Sequence, residues 1–243
     1  MGKNILITGA STGIGAETSR SLAQDNTIII HYHSSDGAAR QVASEVESRG
    51  GIGHLVQANL STQDGTHELA DFVFSKFEQL DVLINNAGSM IERRGARELD
   101  WEFIDASFRL NVFSVMTLTS LCIPLLEKGR DPSIINISSV AMRHGAPTAT
   151  VYGATKGALD SFNRGLANEL APDIRVNAIA PGVIETPFHD KFSTEEKMKN
   201  FKEASPLKRN GRAEHISTAI KFLIDNDFIN GETIDVNGGV FMR

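Results

Sequence analysis

Tyr152 and Lys156 stand four residues apart in "TATVYGATKGAL", with only Gly153, Ala154 and Thr155 between them. Four residues make about one helical turn, so the two side chains share a face. A phenol is a proton donor with an ordinary pKa of about 10. A neighbouring ammonium, or an oxidised nicotinamide ring, favours the phenolate and brings the group towards neutral pH. The pair therefore suits a reaction that leaves an alkoxide in need of a proton, such as hydride delivery to a ketone. The plainer alternative is a polar pair on a helix surface. It weakens once three other stretches are placed beside it, "TGASTGIG" (8–15), "NNAG" (85–88) and "NISS" (136–139), because each would end a strand at one sheet edge. A serine of "NISS" could then hydrogen-bond a carbonyl oxygen as charge develops on it.

The first stretch lies between a short apolar run and a helical pattern. Gly9, Gly13 and Gly15 lack Cβ atoms, so a pyrophosphate can approach the backbone. Free N–H groups at a helix start bind such an anion. Gly9, Ser11, Thr12, Gly13, Ile14 and Gly15 are the candidate cradle. The spacing G-x-x-x-G-x-G differs from the common dinucleotide fingerprint. An acid about twenty residues further on would hold an adenosine 2′-hydroxyl. His33, Ser34 and Ser35 stand there instead, which favours NADP(H) over NAD(H). The nearest cation is Arg40. His31 and His33 alternate on one strand, but no third metal ligand with suitable spacing accompanies them. No metal site is expected.

These groups need a scaffold that brings them together. β-branched runs at 3–8, 27–33, 53–60, 81–88, 133–139, 174–182 and 232–239 read as strands. Helical spacing fills 13–25, 36–50, 62–77, roughly 101–126, 151–170 and 213–224. Seven strands alternating with six helices is the βαβ signature. Apolar strands without alternation fit a parallel sheet covered on both faces. The expected fold is α/β, a single-domain Rossmann-type doubly wound seven-stranded parallel sheet with helices on both faces, over residues 1–243. Residues 183–212 read as polar and irregular with helical pieces.

The 243 residues carry a net charge of −6, which points to no nucleic-acid or acidic-membrane partner. The lone Cys122, in an apolar helix end, provides no disulfide and reads as buried and inert. The opening "MGKNILITGA" is too short an apolar run for a signal peptide or membrane span, so a cytoplasmic location is expected.

The ordered set "TGASTGIG", "NNAG", "RLNV", "NISS", "YGATK", "NAIAPGVIETP" and "GETIDVNGG" resembles the classical short-chain dehydrogenase/reductase family over nearly the whole chain. The resemblance implies a catalytic tetrad of Asn111, Ser139, Tyr152 and Lys156. The serine thirteen residues before the tyrosine is Ser139, which selects it over Ser138. Asn111 would kink its helix and hold a water that feeds protons to Lys156, and Lys156 would also hold the nicotinamide ribose. Asn59, with Leu60, would flank the adenine. Asn86, Ala87 and Gly88 would line the cofactor, and Pro181, Gly182, Ile184 and Thr186 would cradle its nicotinamide side. Residues 188–210 would form a substrate lid. A homotetramer is implied as well.

Within the family the chain is most similar to 3-oxoacyl-acyl-carrier-protein reductases. This implies a carbonyl or alcohol substrate, either free or carried on an acyl carrier protein. Arg130 would meet that acidic carrier near the site entrance. Asp173, where a second basic residue would fall, and the net charge would repel it. Arg143, His144 and His189 are the unusual polar groups at the expected pocket rim, suited to a polyhydroxylated or carboxylated substrate. A sugar or polyol dehydrogenase is thus the second reading, and a non-catalytic nucleotide-binding regulator a third.

Overall fold

The computed structural model describes residues 2–242. In chain order the strands and helices are β1 (Asn4–Ile7), α1 (Gly13–Ser21), β2 (Thr27–Tyr32), α2 (Asp36–Ser48), β3 (Ile52–Gln57), α3 (Gln63–Lys76) and β4 (Val82–Asn85). They continue with α4 (Trp101–Phe108), α5 (Ser114–Leu126), β5 (Ser133–Ile137), α6 (Ala141–His144), α7 (Thr150–Glu169) and β6 (Arg175–Pro181). The last are α8 (Pro187–Phe192), α9 (Glu195–Ala204), α10 (Ala213–Asp225) and β7 (Thr233–Val236).

All seven strands pair in parallel, in the order β3-β2-β1-β4-β5-β6-β7. Strand neighbours alternate faces, and here both faces are apolar. Ile5, Ile7, Ile28, Ile30 and Ile84 pack with side chains of α1, α2 and α10 in one core cluster. Leu6, Ile29, Leu83, Ile134 and Val176 pack with α3, α5 and α7 in a second. Burial of each such side chain contributes roughly 2 kcal/mol, so two layers of helix hold the sheet flat against thermal opening. Strand order reverses between β1 and β4, whose register pairs Ile7 with Ile84. Ligands of open α/β sheets bind in the crevice beyond the carboxyl ends at such a point.

Several strands are shorter than expected, among them β4 and β7, and two differences have a visible local cause. The helix over 101–126 is interrupted by a π-helical turn, Arg109–Phe113, between α4 and α5. Asp100 caps its start, accepting from Phe103 N at 2.8 Å. By length and composition this stretch is apolar enough to cross a membrane, but half of the apolar window is buried. Leu118, Cys122, Leu125 and Leu126 sit in the core, and burial pushes the Cys122 thiol up to about 12. The third strand stops at Gln57, short of the expected 60. Asn59 ends it, because its Oδ1 accepts from Ser61 N at 3.0 Å and turns the chain.

Candidate active site

The turn after β1 is held open by its own backbone geometry. Gly9 and Gly13 adopt φ of +61° and +56°, where a Cβ is strained. Gly15 has a different role. A Cβ there would lie 2.4 Å from Gly9 O and 2.6 Å from Asn86 Nδ2. Gly15 thus lets α1 approach β1, and it stands behind the cavity wall. The other cradle residues, Gly9, Ser11, Thr12, Gly13 and Ile14, do line it. Asn86 Nδ2 donates to Thr8 O at 2.8 Å and to Gly9 O at 3.0 Å. Thr8 Oγ1 in turn accepts from Asn86 N and Ala87 N, both at 2.9 Å. The ends of β1 and β4 are thereby laced together beneath the turn.

His31 and His33 are separated by the end of β2, which stops at Tyr32. His33 reaches the cavity wall. His31 is buried, accepts from Gly9 N through Nδ1 at 3.0 Å and donates from Nε2 to Ala58 O at 3.1 Å. It is a strut for the glycine turn, a role that alternation along the strand did not reveal. Burial lowers its pKa from 6.5 to about 4, against the pull of the Ala58 hydrogen bond. The unfolded chain therefore binds this proton where the folded one does not. Stability from His31 is complete above pH 6.5 and is lost as pH falls towards 4, by up to roughly 3 kcal/mol. Melting temperature measured across that window should fall in the native protein, and a His31→Gln variant should show a shallower fall.

At the end of the cavity beside β2, His33, Ser34, Ser35, Asn59 and Leu60 line the wall, and among the described residues no carboxylate joins them. Asp36 is turned aside. It accepts from Tyr32 Oη at 2.7 Å and from Arg40 Nε at 2.8 Å, so Arg40 is committed to it.

The reacting end is assembled from β4, β5 and α7. Lys156 is buried and donates from Nζ to Ile137 O at 2.7 Å. Its ammonium lies 5.7 Å from the Tyr152 ring centroid. Ser138 Oγ donates to Lys156 O at 3.0 Å, tying the end of β5 to α7. Ser139 is left facing the cavity beside Tyr152 and Lys156. Ser138 lines the cavity as well, but its hydroxyl is engaged by Lys156 O and by Met142 Sδ at 3.2 Å. Asn111 sits in the π turn, fully buried and off the cavity wall. Its Oδ1 accepts from Ser89 N at 2.9 Å and its Nδ2 donates to Ser89 O at 2.8 Å. The amide is a clamp on the β4 loop, and a Cβ on Gly88 would meet both Asn111 Oδ1 (2.8 Å) and Lys156 Nζ (3.3 Å).

Burial governs the titration here. It pushes the Tyr152 phenol up to about 12, opposed by a hydrogen bond with Ser139. It pushes the Lys156 ammonium down to about 8. The ammonium was expected to draw the phenol towards neutrality, but among protein groups alone desolvation outweighs it. At neutral pH Tyr152 is a protonated phenol, able to donate, and Lys156 is a cation that titrates close to neutrality.

Pro181, Gly182, Ile184, Thr186, Ala87 and Gly88 complete the wall beside these groups. The whole is one cavity of about 710 Å³, running from the glycine turn to α8 and α9. Its size suits an extended organic ligand, and its glycine floor at the start of α1 suits an anion that approaches the backbone. A dinucleotide therefore fits these residues.

Beyond Tyr152 the wall is aromatic and basic. The Tyr152 and Phe188 rings are 6.0 Å apart, and Phe188 and His189 5.4 Å. Met90, Arg93, His144, Lys191 and Lys197 also face the cavity. Arg93 and Lys197 went unnoticed in the sequence because loop and lid positions carry no periodic signal. Two expectations fail. Arg143 does not reach the rim, since its guanidinium pairs with Asp235 at 3.3 Å and Asp160 at 3.9 Å. Arg130 sits at the opposite, N-terminal edge of the sheet, where its backbone N donates to Asp81 Oδ1 at 2.6 Å and its guanidinium to Gly2 O. It is not at the entrance of this chain's own cavity.

Comparison with known proteins agrees with this geometry. The profile of the family described as Enoyl-(Acyl carrier protein) reductase matches residues 9–241. An uncharacterized oxidoreductase of Methylorubrum extorquens is 37% identical, covering 98% of each chain. The 3-oxoacyl-acyl-carrier-protein reductase FabG of Thermotoga maritima is 34% identical, again over 98% of each chain. The solved structure of the angucycline C-6 ketoreductase LanV, with bound NADP, superposes with a TM-score of 0.90 at 27% identity, over 98% of this chain and 95% of that one.

Proposed function

The chain belongs to the short-chain dehydrogenase/reductase family, and on that premise we propose that it reduces a ketone to a secondary alcohol with NADPH, using Tyr152 as the proton donor. The observation that carries this reading is the half-buried Tyr152 beside Ser139, its ring centroid 5.7 Å from the Lys156 ammonium in one cavity. A dinucleotide held along this cavity would supply the hydride for the carbonyl carbon. The chain's own groups do the rest. Tyr152 gives its proton to the carbonyl oxygen as negative charge grows there. The Ser139 hydroxyl donates a hydrogen bond to that same oxygen. Lys156, charged near neutral pH, returns a proton to Tyr152 and would hold the ribose of a bound cofactor. Asn111 keeps Ser89 and Gly88 in place over Lys156, a positioning role through the backbone. The water relay that the family resemblance implies for Asn111 is a second role, compatible with this one.

Gly9, Ser11, Thr12, Gly13 and Ile14 would hold the pyrophosphate, with Asn59 and Leu60 at the adenine. His33, Ser34 and Ser35 offer hydrogen-bond donors and no carboxylate to a 2′-phosphate, which supports NADP(H) over NAD(H). The names of relatives support a 3-oxoacyl thioester as substrate. The basic, polar wall around Arg93 and His189 favours a small polar ketone, sugar-like or acidic, as the second reading. Residues 188–210, built as α8 and α9, serve as the lid in either case. We read the protein as a cytoplasmic homotetramer. Exposed Trp101, Phe113, Phe222 and Phe228 offer the apolar surface such an assembly would cover.

A spectrophotometric panel tests the reading: NADPH or NADH oxidation with acetoacetyl-CoA, beside NAD(P) reduction with sugars and polyols. Ketone-dependent oxidation of NADPH is expected. Activity confined to polyols with NAD would contradict both the cofactor and the direction.

A further inference from the structure

The wall of the cavity carries four cations, Arg93, Lys156, Lys191 and Lys197, and among the described residues no aspartate or glutamate. This occurs in a chain whose net charge is −6. Lys156 is explained by the proton chemistry. The others lie on the substrate side, and Arg93 and Lys197 are half-buried. None of the ion pairs among the described residues involves Arg93, Lys191 or Lys197. Asp190, next to His189, is exposed and off the wall.

Arg93 is held in place. Its Nε donates to Phe192 O at 2.7 Å, and Nη1 lies 3.5 Å from Thr148 Oγ1. Among the described residues no hydrogen bond engages Nη2. His189, with Nδ1 3.0 Å from Ser193 Oγ, stands on the same wall. Burial, and then the charge of Arg93, lower the pKa values of both His189 and Lys197. A half-buried guanidinium with like charges around it is unfavourable unless a ligand brings the opposite charge. The cluster shares the cavity with Tyr152, and the Phe188 ring centroid lies 6.0 Å from that of Tyr152 and 5.4 Å from that of His189.

We propose that Arg93, with Lys197 and His189, forms an anion subsite for the carboxylate of an oxo-acid substrate, whose ketone is the group reduced beside Tyr152. The inference rests on reading this cavity as the ketone-reducing site. A planar guanidinium edge matches a carboxylate in two parallel hydrogen bonds. Arg93, Lys197 and His189 share one cavity with Tyr152, which suits a carboxylate carried on the substrate itself. A phosphopantetheine arm would set its phosphate the full length of the pantetheine chain from the carbonyl.

The test compares kcat/KM with NADPH for 4-oxopentanoate, its methyl ester and acetoacetyl-CoA. Removing a charge-assisted bond should cost about tenfold or more, so the acid is expected to exceed the ester by that factor, chiefly through KM. Arg93→Gln, and separately Lys197→Met, should bring acid and ester close to parity. Equal use of acid and ester by the native protein overturns the proposal. A preference for acetoacetyl-CoA that Arg93→Gln abolishes assigns the subsite to phosphate, and likewise overturns it. If no carbonyl is reduced, the ketone reading fails, and calorimetry with glutarate judges the subsite alone. Glutarate binding that Arg93→Gln removes upholds it, and no binding to the native protein overturns it.

Discussion

Replacing Tyr152 by Phe is expected to lower kcat for ketone reduction on the order of 10³-fold or more, while NADPH binding stays nearly unchanged. The substitution removes one hydroxyl and leaves the ring against Phe188, 6.0 Å away between centroids. Packing is therefore kept, and the fold should tolerate it. What is lost is the proton itself. With its pKa raised to about 12 by burial, the phenol stays protonated through the neutral range and gives its proton up only when a strong base, the nascent alkoxide, forms beside it. A loss of 10³-fold corresponds to about 4 kcal/mol of transition-state stabilisation, within what one positioned acid and one oxyanion donor supply. Binding is read separately, by quenching or enhancement of NADPH fluorescence. A variant that neither turns over nor binds would instead mean a collapsed cavity.

Replacing Lys156 by Met is expected to cost about 10²- to 10³-fold in kcat and to change the pH profile. The ammonium makes one visible protein bond, to Ile137 O at 2.7 Å. Losing it leaves that carbonyl unpaired, at a cost of about 1–3 kcal/mol, while removal of a buried charge offsets part of this. The fold should survive. Burial lowers Lys156 to about 8, so reduction by the native protein should decline as pH rises through that value and the proton is lost. The Met variant should lack that limb and keep its low rate across it. A decline near pH 8 that persists in the variant would move the titrating group elsewhere.

Much of this was legible because the strands are apolar on both faces. Ile28, Ile29 and Ile30 alternate between two cores, so a run without polar alternation could only be an interior parallel strand. The order of the motifs then carried Ser139, Tyr152 and Lys156 to one edge. Other features depend on pairings between distant residues. His31 looks like half of a metal pair until Gly9 N and Ala58 O are seen on its two nitrogens. Arg143 looks like a rim cation until Asp160 and Asp235 are seen beside it. Arg93 looks like an ordinary loop cation, because the desolvation that makes it notable comes from α8 folding over it. The π turn around Asn111 left no mark in the helical spacing, and only the family resemblance pointed to a kink there.

The most direct measurement of the central claim follows the hydride itself. NADPH deuterated at the nicotinamide C4, on one face and then the other, is incubated with the protein and 4-oxopentanoate or acetoacetyl-CoA, and the product is examined by mass spectrometry. The account predicts one deuterium on the carbinol carbon from one of the two labelled cofactors only, and almost none with Tyr152→Phe. An alcohol product without deuterium from either, or deuterium transfer undiminished in Tyr152→Phe, would contradict it.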